Sequence, residues 1–435
     1  MPTSQAEAPV DRPGSGRRRS PAPERRTRGD LIVGALLGVL VLVGAVVFAA
    51  TSDSAHTTSA PAAAPIAEPP PAGAVPAAFS EAWRAPSAAT RTPVVAGNAV
   101  VTADGSTVTG RSAVDGAVAW TYERDEPLCT VAAAFTALAD DSQRVLALYR
   151  NGGWCSELTA LRPDIGTRAA ARNPDLRGDT ALIDNGTLVA GTGARTIEVM
   201  RSDLVRTLEY GYLDAPVNAG SQPRPQCTHA GTALGQDRLA VIERCPEEST
   251  DRLTVVDPDD TKDGKPIERW SKPLPAAGAG LVAISGTRVA VVLPNPARIV
   301  LYDEQGNEVG SFPVPLSDEA LAAAANPPAG VPATSSDTRQ VSWWTGSSTV
   351  LLDPEALTPL ATVDGTLGPG VTYGDATLVP VPDGLAVLGR SGTGPVVRTI
   401  PVARADRTAP VRLATQGAVL AEQRGREVVA LVPAR

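Results

Sequence analysis

Histidine, lysine and aromatic residues are scarce in this sequence of 435 residues. It has two histidines, His56 and His229, and that number excludes a metal centre built from several imidazoles. Only His229 lies in the C-terminal part, without the Gly-x-Ser-x-Gly motif of a nucleophile elbow, so we expect no Ser-His-Asp triad and no catalytic residues. Aromatic residues make up 4% of the chain, so a folded core must use Val, Leu, Ala and Ile.

Acidic residues outnumber basic ones in this chain, and lysine in particular is scarce. Lysine occurs only at Lys262, Lys265 and Lys272, and the formal net charge is −8. Because the first 30 residues are rich in arginine, the rest of the chain is more acidic than the total. Nucleic-acid binding needs a basic surface, so this composition argues against a nucleic-acid partner.

One long apolar run is present, at residues 31–50. A helix of about 20 residues spans a hydrocarbon core of about 30 Å. Several arginines precede the run, and the positive-inside rule then predicts a cytoplasmic N-terminus and an extracytoplasmic C-terminal domain in the cell membrane. A cleaved signal peptide is the alternative, although its apolar stretch is usually only about 7–15 residues long.

The apolar run divides the chain into four parts. Residues 1–30, rich in Pro, Ser and Arg, are expected to be a disordered cytoplasmic tail. Residues 31–50 form the transmembrane helix, and the Ala- and Pro-rich residues 51–78 form a semi-extended linker, about 80–90 Å long at most. Residues 79–435 form the ectodomain.

The ectodomain is a series of four-stranded meanders. In the clearest unit, residues 93–123, short apolar strands alternate with turns, among them the hairpin signals Asp104-Gly105 and Asp115-Gly116. An aspartate follows an apolar strand in each later copy, at Asp164, Asp203, Asp257, Asp303 and Asp353, and a further unit spans residues 377–402. A repeat of about 40–55 residues built from β-hairpins predicts an all-β fold, a β-propeller with blades of four antiparallel strands.

The two ends of the ectodomain predict how the ring closes. Residues 412–432 supply only three strands, and a single strand around Trp83 precedes the first full unit. We expect this N-terminal strand to pair with the C-terminal one, because a closed ring leaves no open sheet edge. The count is then eight blades, or seven if the units near residues 340–405 merge.

Ala113-x-Asp115-Gly116-x-x-x-Trp120 resembles the tryptophan-docking motif of pyrroloquinoline-quinone (PQQ)-like propellers, with one residue fewer in the turn. The chain is similar to membrane-anchored, non-catalytic PQQ-like proteins of actinobacterial type, and its Arg- and Ala-rich composition is typical of high-GC genomes. The resemblance implies that Trp83, Trp120 and Trp270 each pack onto a neighbouring blade.

The four cysteines form neither a zinc-site spacing nor a Cys-x-x-Cys redox motif. Three disulfide pairings are open to them. We expect Cys129–Cys155 and Cys227–Cys245, since each pair falls within one repeat. Disulfides fit an extracytoplasmic domain, whereas reduced thiols would fit a cytosolic protein.

Calcium and PQQ are the two cofactors that the sequence brings to mind, and we expect neither. Asp257, Asp259, Asp263 and Glu268 have the spacing of a calcium loop, but Lys262 replaces its glycine and Pro266 interrupts it, so an elongated hairpin is the better interpretation. Quinoprotein dehydrogenases carry adjacent cysteines and acidic calcium ligands, and the sequence shows no counterpart of either.

Partner contacts are expected where aromatic residues or insertions occur. A short helix with Ser317 as its N-cap should end before Pro327, and an irregular linker at residues 326–339 should follow. Trp154, Tyr210, Tyr212, Trp343 and Trp344 are the other candidates, although blade packing explains each of them too. Consecutive strand residues face opposite ways, so one of Trp343 and Trp344 should be buried.

These observations favour a single-pass membrane protein whose propeller is a non-catalytic binding or scaffold module for cell-envelope proteins. A PQQ- and calcium-dependent oxidoreductase and an extracytoplasmic sensor remain alternatives.

Overall fold

The computed structural model describes residues 27–50, 52, 55–139, 141–216, 218–262, 264–389 and 394–434. The chain forms two compact units, residues 1–56 and residues 57–435. Most of the predicted tail lies outside the described residues.

The first unit contains helix α1 (Arg28–Ala50). Thr27 and Asp30 form a reciprocal cap at its start: the Asp30 amide donates to Thr27 Oγ1 at 3.2 Å, and the Thr27 amide donates to Asp30 Oδ2 at 2.8 Å. The helix has 23 residues and is apolar enough to cross a membrane. By length and composition it suits a membrane anchor or a signal sequence.

The second unit is an eight-bladed β-propeller of four-stranded antiparallel sheets, as the repeats predict. Two strands precede the first full blade, β1 (Thr57–Ala60) and β2 (Phe79–Pro86). Blade one consists of β3 (Val94–Ala96), β4 (Ala99–Asp104), β5 (Thr107–Ser112) and β6 (Val118–Arg124), and blade two of β7 (Leu128–Ala134), β8 (Arg144–Asn151), β9 (Trp154–Leu161) and β10 (Arg168–Arg172), with the short β11 (Leu176–Arg177). Blade three consists of β12 (Leu182–Asp184), β13 (Leu188–Gly191), β14 (Thr196–Arg201) and β15 (Arg206–Gly211). Blade four consists of β16 (Thr228–Leu234), β17 (Leu239–Arg244), β18 (Arg252–Lys262) and β19 (Lys265–Pro273).

The other four blades continue in the same order around the ring. Blade five consists of β20 (Gly280–Ile284), β21 (Val289–Leu293), β22 (Arg298–Tyr302) and β23 (Glu308–Pro313), and blade six of β24 (Thr334–Ser336), β25 (Val341–Trp344), β26 (Ser348–Leu352) and β27 (Pro359–Asp364). Blade seven consists of β28 (Val371–Tyr373), β29 (Ala376–Val381), β30 (Gly384–Leu388) and β31 (Val396–Pro401). Blade eight contains β32 (Val411–Gln416), β33 (Val419–Arg424) and β34 (Glu427–Pro433). The expected hairpin at residues 391–394 lies almost wholly outside the described residues.

The ring closes as expected. Strand β2 pairs antiparallel with β34, from Phe79 opposite Pro433 to Pro86 opposite Glu427, and supplies the fourth strand of blade eight. The outermost strand of this blade therefore comes from the N-terminal side of the domain and the other three from its C-terminal end.

The core consists of apolar layers between blades. Among the described residues, one cluster of buried side chains lies between each neighbouring pair of blades, and blade eight packs on blade one like the rest. Val, Leu, Ala and Ile dominate these clusters, as the scarcity of aromatic residues requires.

Three tryptophans each pack onto a glycine in the next blade. A Cβ atom on Gly116, Gly166 or Gly306 would lie only 2.6–2.8, 2.5 or 2.8 Å from the ring of Trp83, Trp120 or Trp270, respectively. All three glycines have positive φ, between +72° and +76°. Trp83 Nε1 donates to Ala113 O at 2.9 Å, and Trp120 Nε1 donates to Pro163 O at 2.7 Å. The sequence motif therefore marks contacts between blades.

The structure corrects the expectation of a free linker at residues 51–78. Strand β1 pairs with β6 as a fifth strand of blade one. The segment that follows, residues 61–78 (the strap), is tied by backbone hydrogen bonds to blades two and eight: the Ala62 amide donates to Ile165 O at 3.0 Å, and the Ala418 amide donates to Pro70 O at 2.7 Å. Ile66 is buried between blades one and two. An Ala- and Pro-rich segment thus packs on the ring instead of extending away from it.

A second correction concerns the segment between blades five and six, residues 314–333 (the insertion). Helix α2 (Asp318–Ala325) forms as predicted, and its N-cap Ser317 accepts from the Ala320 amide at 3.2 Å. The chain that follows the helix is only partly irregular: a 3-10 turn spans Pro328–Gly330, and Thr334–Ser336 is the innermost strand of blade six.

Both expected disulfides are present. Cys129 and Cys155 lie on the first and third strands of blade two, with their Cα atoms 6.1 Å apart. Cys227 and Cys245 flank the first two strands of blade four, with their Cα atoms 4.2 Å apart. The first bond therefore joins the first and third strands of its blade, and both bonds lie within one repeat.

Candidate functional site

The centre of the ring contains a cavity of about 790 Å³. The innermost strands of blades three, four, five, six and eight line it, and so does the insertion. Its wall is mainly apolar, with side chains such as Leu234, Leu281 and Ile284. Pockets of roughly 300–1,000 Å³ with mainly apolar walls and a few polar groups are typical small-molecule sites.

The insertion forms part of the wall of this cavity and is held at several points of the ring. The Ala329 amide donates to Asp179 Oδ2 at 2.9 Å, and Ala329 O accepts from Thr192 Oγ1 at 2.9 Å. On another side, Arg244 donates to Ala325 O at 2.8 Å. Ala329 has a φ of +51°, in the left-handed region that a non-glycine residue seldom adopts. These anchors hold the insertion as one wall of the cavity.

Arg412 is the unusual polar residue of the cavity wall. It lies on the innermost strand of blade eight, and its guanidinium carbon is 5.2 Å from the ring centroid of Trp344 in blade six. Trp344 is held in turn by its indole N–H, which donates to Thr366 O at 3.1 Å. Arg412 Nη1 is buried and has no hydrogen-bond partner among the described residues.

Backbone packing in blade seven allows this contact across the ring. Gly368 lies against the chain of blade eight, where a Cβ atom would be 1.8 Å from Val411 O. Gly368 belongs to the link between β27 and β28, and the Thr349 hydroxyl of blade six donates to Gly368 O at 2.8 Å. Because the link is this close to both neighbours, Arg412 reaches Trp344.

The other charged groups at the cavity already have partners. Arg91 donates to Pro328 O at 2.8 Å and lies 3.7 Å from Asp179. Asp184 accepts from the Phe135 amide at 2.8 Å and from Thr136.

Burial and the nearby Arg91 lower the pKa of Arg412 to about 10, so its guanidinium stays charged at neutral pH.

The lining residues do not fit a calcium-bound quinone. Trp344 could serve as a floor with Arg412 above it, but a Ca²⁺ ion needs several oxygen ligands. Asp184 is the cavity's one carboxylate among the described lining residues, and both its oxygens already accept hydrogen bonds. The described lining therefore offers no free carboxylate to the calcium ion of a bound quinone.

The suspected calcium loop is a hairpin. Asp257 and Asp259 lie within β18, and Glu268 in β19 is ion-paired with Arg224. Asp263 lies outside the described residues. The long hairpin between the last two strands of blade four is what the alternative interpretation predicted.

A separate acidic cluster lies on blades two and three. Side-chain oxygens of Asp175, Glu198 and Glu209 are within 4.8 Å of one another, and burial raises the pKa of both glutamates. Arg206 lies 3.6 Å from Glu198 Oε1 and also pairs with Glu209, while Arg172 lies 3.9 Å from Glu198 Oε2. Since two guanidiniums already lie against the two glutamates, we interpret the cluster as an ion network that joins the blades.

The aromatic residues proposed as partner contacts occupy three environments. Tyr210 is 1% exposed and hydrogen-bonded to Glu243 and Arg224, so it cannot contact a partner. Trp343 is buried between blades five and six, whereas Trp344 faces the cavity. Trp154 and Tyr212 lie at the outer surface.

The two surface aromatics each stack with an arginine. The guanidinium of Arg177 lies 3.8 Å from the Trp154 ring centroid, and that of Arg195 lies 4.2 Å from the Tyr212 centroid. Arg177 also pairs with Asp214 at 2.5 Å. Trp, Tyr and Arg together are typical of the energetically important part of protein interfaces.

His229 is buried between blades three and four, and the described cavity lining does not include it. Its Nδ1 lies 3.3 Å from Gly193 O, its ring stacks on Tyr210 at 5.7 Å, and its Nε2 has no partner among the described residues. Burial, together with the nearby Arg195 and Arg224, lowers the pKa of His229 to about 4.

This environment predicts a loss of stability in mild acid that His229→Phe removes. The folded-state pKa of about 4 lies below the ordinary 6.5, so the unfolded chain binds the proton first. The contribution is complete above about pH 6.5 and is lost as the pH falls to about 4, up to about 3 kcal/mol. Urea denaturation of both proteins at pH 7.5 and pH 4.5 measures the difference. An equal pH response of the two proteins would contradict the assignment, since His56 is common to both.

Sequence reasoning missed Arg412 and Arg91, the two cavity arginines. Side chains alternate between the two faces of a strand, and the sequence alone does not show which face of Val411–Gln416 carries Arg412. The available signal was its place on the innermost strand of a blade, directly between two buried residues, Val411 and Leu413.

Comparison with known proteins bears on the fold alone. No protein-family model matches the chain, and no curated protein matches it. Among solved structures, the computationally designed protein Ika8 matches with a TM-score of 0.50 and 11% identity, over 86% of this chain and 100% of its own. BamB from Moraxella catarrhalis has a TM-score of 0.49 and 14% identity, over 81% and 99% of the two chains. The dihydro-heme d1 dehydrogenase NirN has a TM-score of 0.48 and 13% identity, over 80% and 78%.

Proposed function

We propose that this protein is a membrane-anchored, extracytoplasmic binding module that takes a small ligand into the centre of its propeller. The observation that carries the proposal is the cavity of about 790 Å³, with its mainly apolar wall, to which the insertion contributes. Rigid inner strands suit such a site, because their side chains are already ordered before a ligand arrives.

Two features support the location. Arginines precede the uncharged run at residues 31–50, and the helix that contains this run is long enough to cross a membrane, which favours a cytoplasmic N-terminus and a propeller on the other side. Two disulfides favour an oxidising compartment for residues 57–435. An anchored propeller would hold its cavity at the outer surface of the membrane.

The chemistry of the cavity supports recognition rather than catalysis. Its described polar lining consists of Arg412 beside the Trp344 indole, Arg91, Asp184, Gln423 and several serine and threonine hydroxyls. Arg91 and Asp184 are already paired within the protein, and the hydroxyls, the Gln423 amide and the Arg412 guanidinium orient a ligand but do not exchange protons near neutral pH. We therefore propose a non-enzymatic role, in which the ligand-bound propeller acts on another envelope protein.

The partner surface in this proposal consists of Trp154 and Tyr212, each of which stacks with an arginine. Photo-cross-linking from position 154 in intact cells should recover an envelope protein, and Tyr212→Ala should reduce the yield. The exposed Val397, on the outermost strand of blade seven, provides a matched control position. Equal recovery from positions 154 and 397 would contradict this part.

The location has its own test. Protease added to intact spheroplasts should remove residues 57–435 while the N-terminal part of the chain remains in the membrane fraction, because the helix anchors it and the propeller faces outward. Protection of the propeller until lysis would overturn the orientation. Without protease, release of a shortened chain into the medium would show that the helix is cleaved.

A further inference from the structure

The unpaired cation of the cavity indicates which ligands it takes. Arg412 carries a charge at neutral pH, yet its buried Nη1 has no acceptor among the described residues, and no described carboxylate forms an ion pair with it. A buried charged donor without an acceptor costs free energy, which a ligand or solvent oxygen restores. Arg91 adds positive charge nearby, although its own contacts to Asp179 and Pro328 are made.

We propose that the central cavity is a receptor site for a small organic carboxylate with an apolar body, whose carboxylate pairs with Arg412. This inference rests on the proposed binding function and names its ligand class.

A carboxylate fits the site better than other anions for two reasons. A guanidinium presents parallel N–H donors that match two carboxylate oxygens. Arg412 is the single unpaired cation among the described cavity residues, so the site balances one negative charge, whereas a phosphate dianion would bring two. The cation–π contact with Trp344 positions the guanidinium, and lysine lacks the planar pair of donors that a carboxylate matches.

The apolar body follows from the rest of the wall. Alanine, valine, leucine and isoleucine side chains from the inner strands and the insertion face the cavity. Burying an alkyl or aromatic group against them contributes about 25 cal/mol per Å². A free carboxylic acid and the C-terminus of a short apolar peptide share this chemistry.

The test uses the full-length protein in nanodiscs of zwitterionic lipid and measures binding by calorimetry. The probes are two acid and amide pairs: 4-phenylbutanoate with 4-phenylbutanamide, and acetyl-Phe-Leu with its C-terminal amide; 4-phenylbutylamine is the cationic analogue. We expect at least one acid to bind about tenfold tighter than its amide. The pair with the larger preference identifies the source as a free acid or as a peptide end.

Variants assign the preference to Arg412. In Arg412→Met the acid and its amide should bind equally, and Arg412→Lys should recover only part of the difference. Arg201→Met, at an exposed arginine paired with Asp203, should bind like the wild type. Without ligand, Arg412→Met should unfold at the same or a higher temperature, because it removes an uncompensated charge. A purely structural arginine would give the opposite sign.

The outcomes separate the two claims. Equal binding of acid and amide to the wild type, or preferred binding of the amine, would overturn the carboxylate assignment and leave the binding function standing. A lower unfolding temperature for Arg412→Met without a change in acid preference would also overturn it. Failure of every probe to bind would count against the cavity as a binding site altogether.

Discussion

Replacing Glu422 with leucine is expected to lower the free energy of unfolding of the propeller by about 3–5 kcal/mol. Arg404 and Glu422 are both almost fully buried, and Arg404 Nη2 lies 2.8 Å from Glu422 Oε1. Arg404 also donates to Val381 O at 2.7 Å and thereby ties blade seven to blade eight. The substitution leaves the arginine's charge buried without its carboxylate, and urea denaturation measures the loss.

Two controls separate the lost pairing from other effects of the change. Arg404→Met combined with Glu422→Leu should recover part of the loss, because the charge of Arg404 is then no longer buried without a partner. Recovery stays incomplete because Arg424, whose Nε lies 2.7 Å from Glu422 Oε2, still loses its carboxylate. Asp203→Ala removes the partner of the exposed Arg201 and should cost no more than about 1 kcal/mol. If Glu422→Leu were no more harmful than Asp203→Ala, the pair would not hold the two blades together.

Gly166→Ala is expected to lower the free energy of unfolding by about 3–5 kcal/mol, which is the range for the loss of a packed aromatic side chain. The new Cβ atom would lie 2.5 Å from the Trp120 ring, so the tryptophan must leave its place between blades one and two. Gly105→Ala is the matched control, since Gly105 also has a positive φ, +60°, but no heavy atom lies within 4 Å of its Cβ position. The control should cost only the left-handed strain, about 1–2 kcal/mol.

A double variant tests whether Trp120 is the cause. In a Trp120→Ala background, Gly166→Ala should cost no more than Gly105→Ala does, because the clash is gone. Additive losses in the double variant would show that the glycine and the tryptophan act independently, and that the docking contact is not what joins the blades. Guanidinium denaturation curves of the wild type, the two single variants, the double variant and Gly105→Ala give these differences.

The repeat, the closure and the docking contacts were predictable because their signals are local. Asp-Gly pairs mark hairpins, alternating apolar residues mark strands, and a lone strand around Trp83 has a single vacant position to fill. The strap was not predictable. Its Ala- and Pro-rich sequence has no periodicity, and it is held largely through backbone groups such as Pro70 O, which any sequence provides.

The candidate site was harder to predict than the fold. Arg412 and Trp344 come from different blades, and only the ring brings them within 5.2 Å of each other. The expectation that Tyr210 contacts a partner was wrong for a related reason. Its hydroxyl donates to Glu243 on the next blade, and nothing in the strand of Tyr210 itself shows that a buried hydroxyl would find this acceptor. Contacts between blades depend on register across the whole ring, which spacing in the sequence does not supply.

Hydrogen exchange across the seam between β2 and β34 is the most direct test of the closed ring, on which the cavity depends. Amides of Phe79–Pro86 that pair with β34 should exchange as slowly as those of Val419–Arg424 inside the same blade. Exchange of the β2 amides at the rate of an unstructured peptide, with the rest of blade eight protected, would contradict a ring sealed by its N-terminal strand.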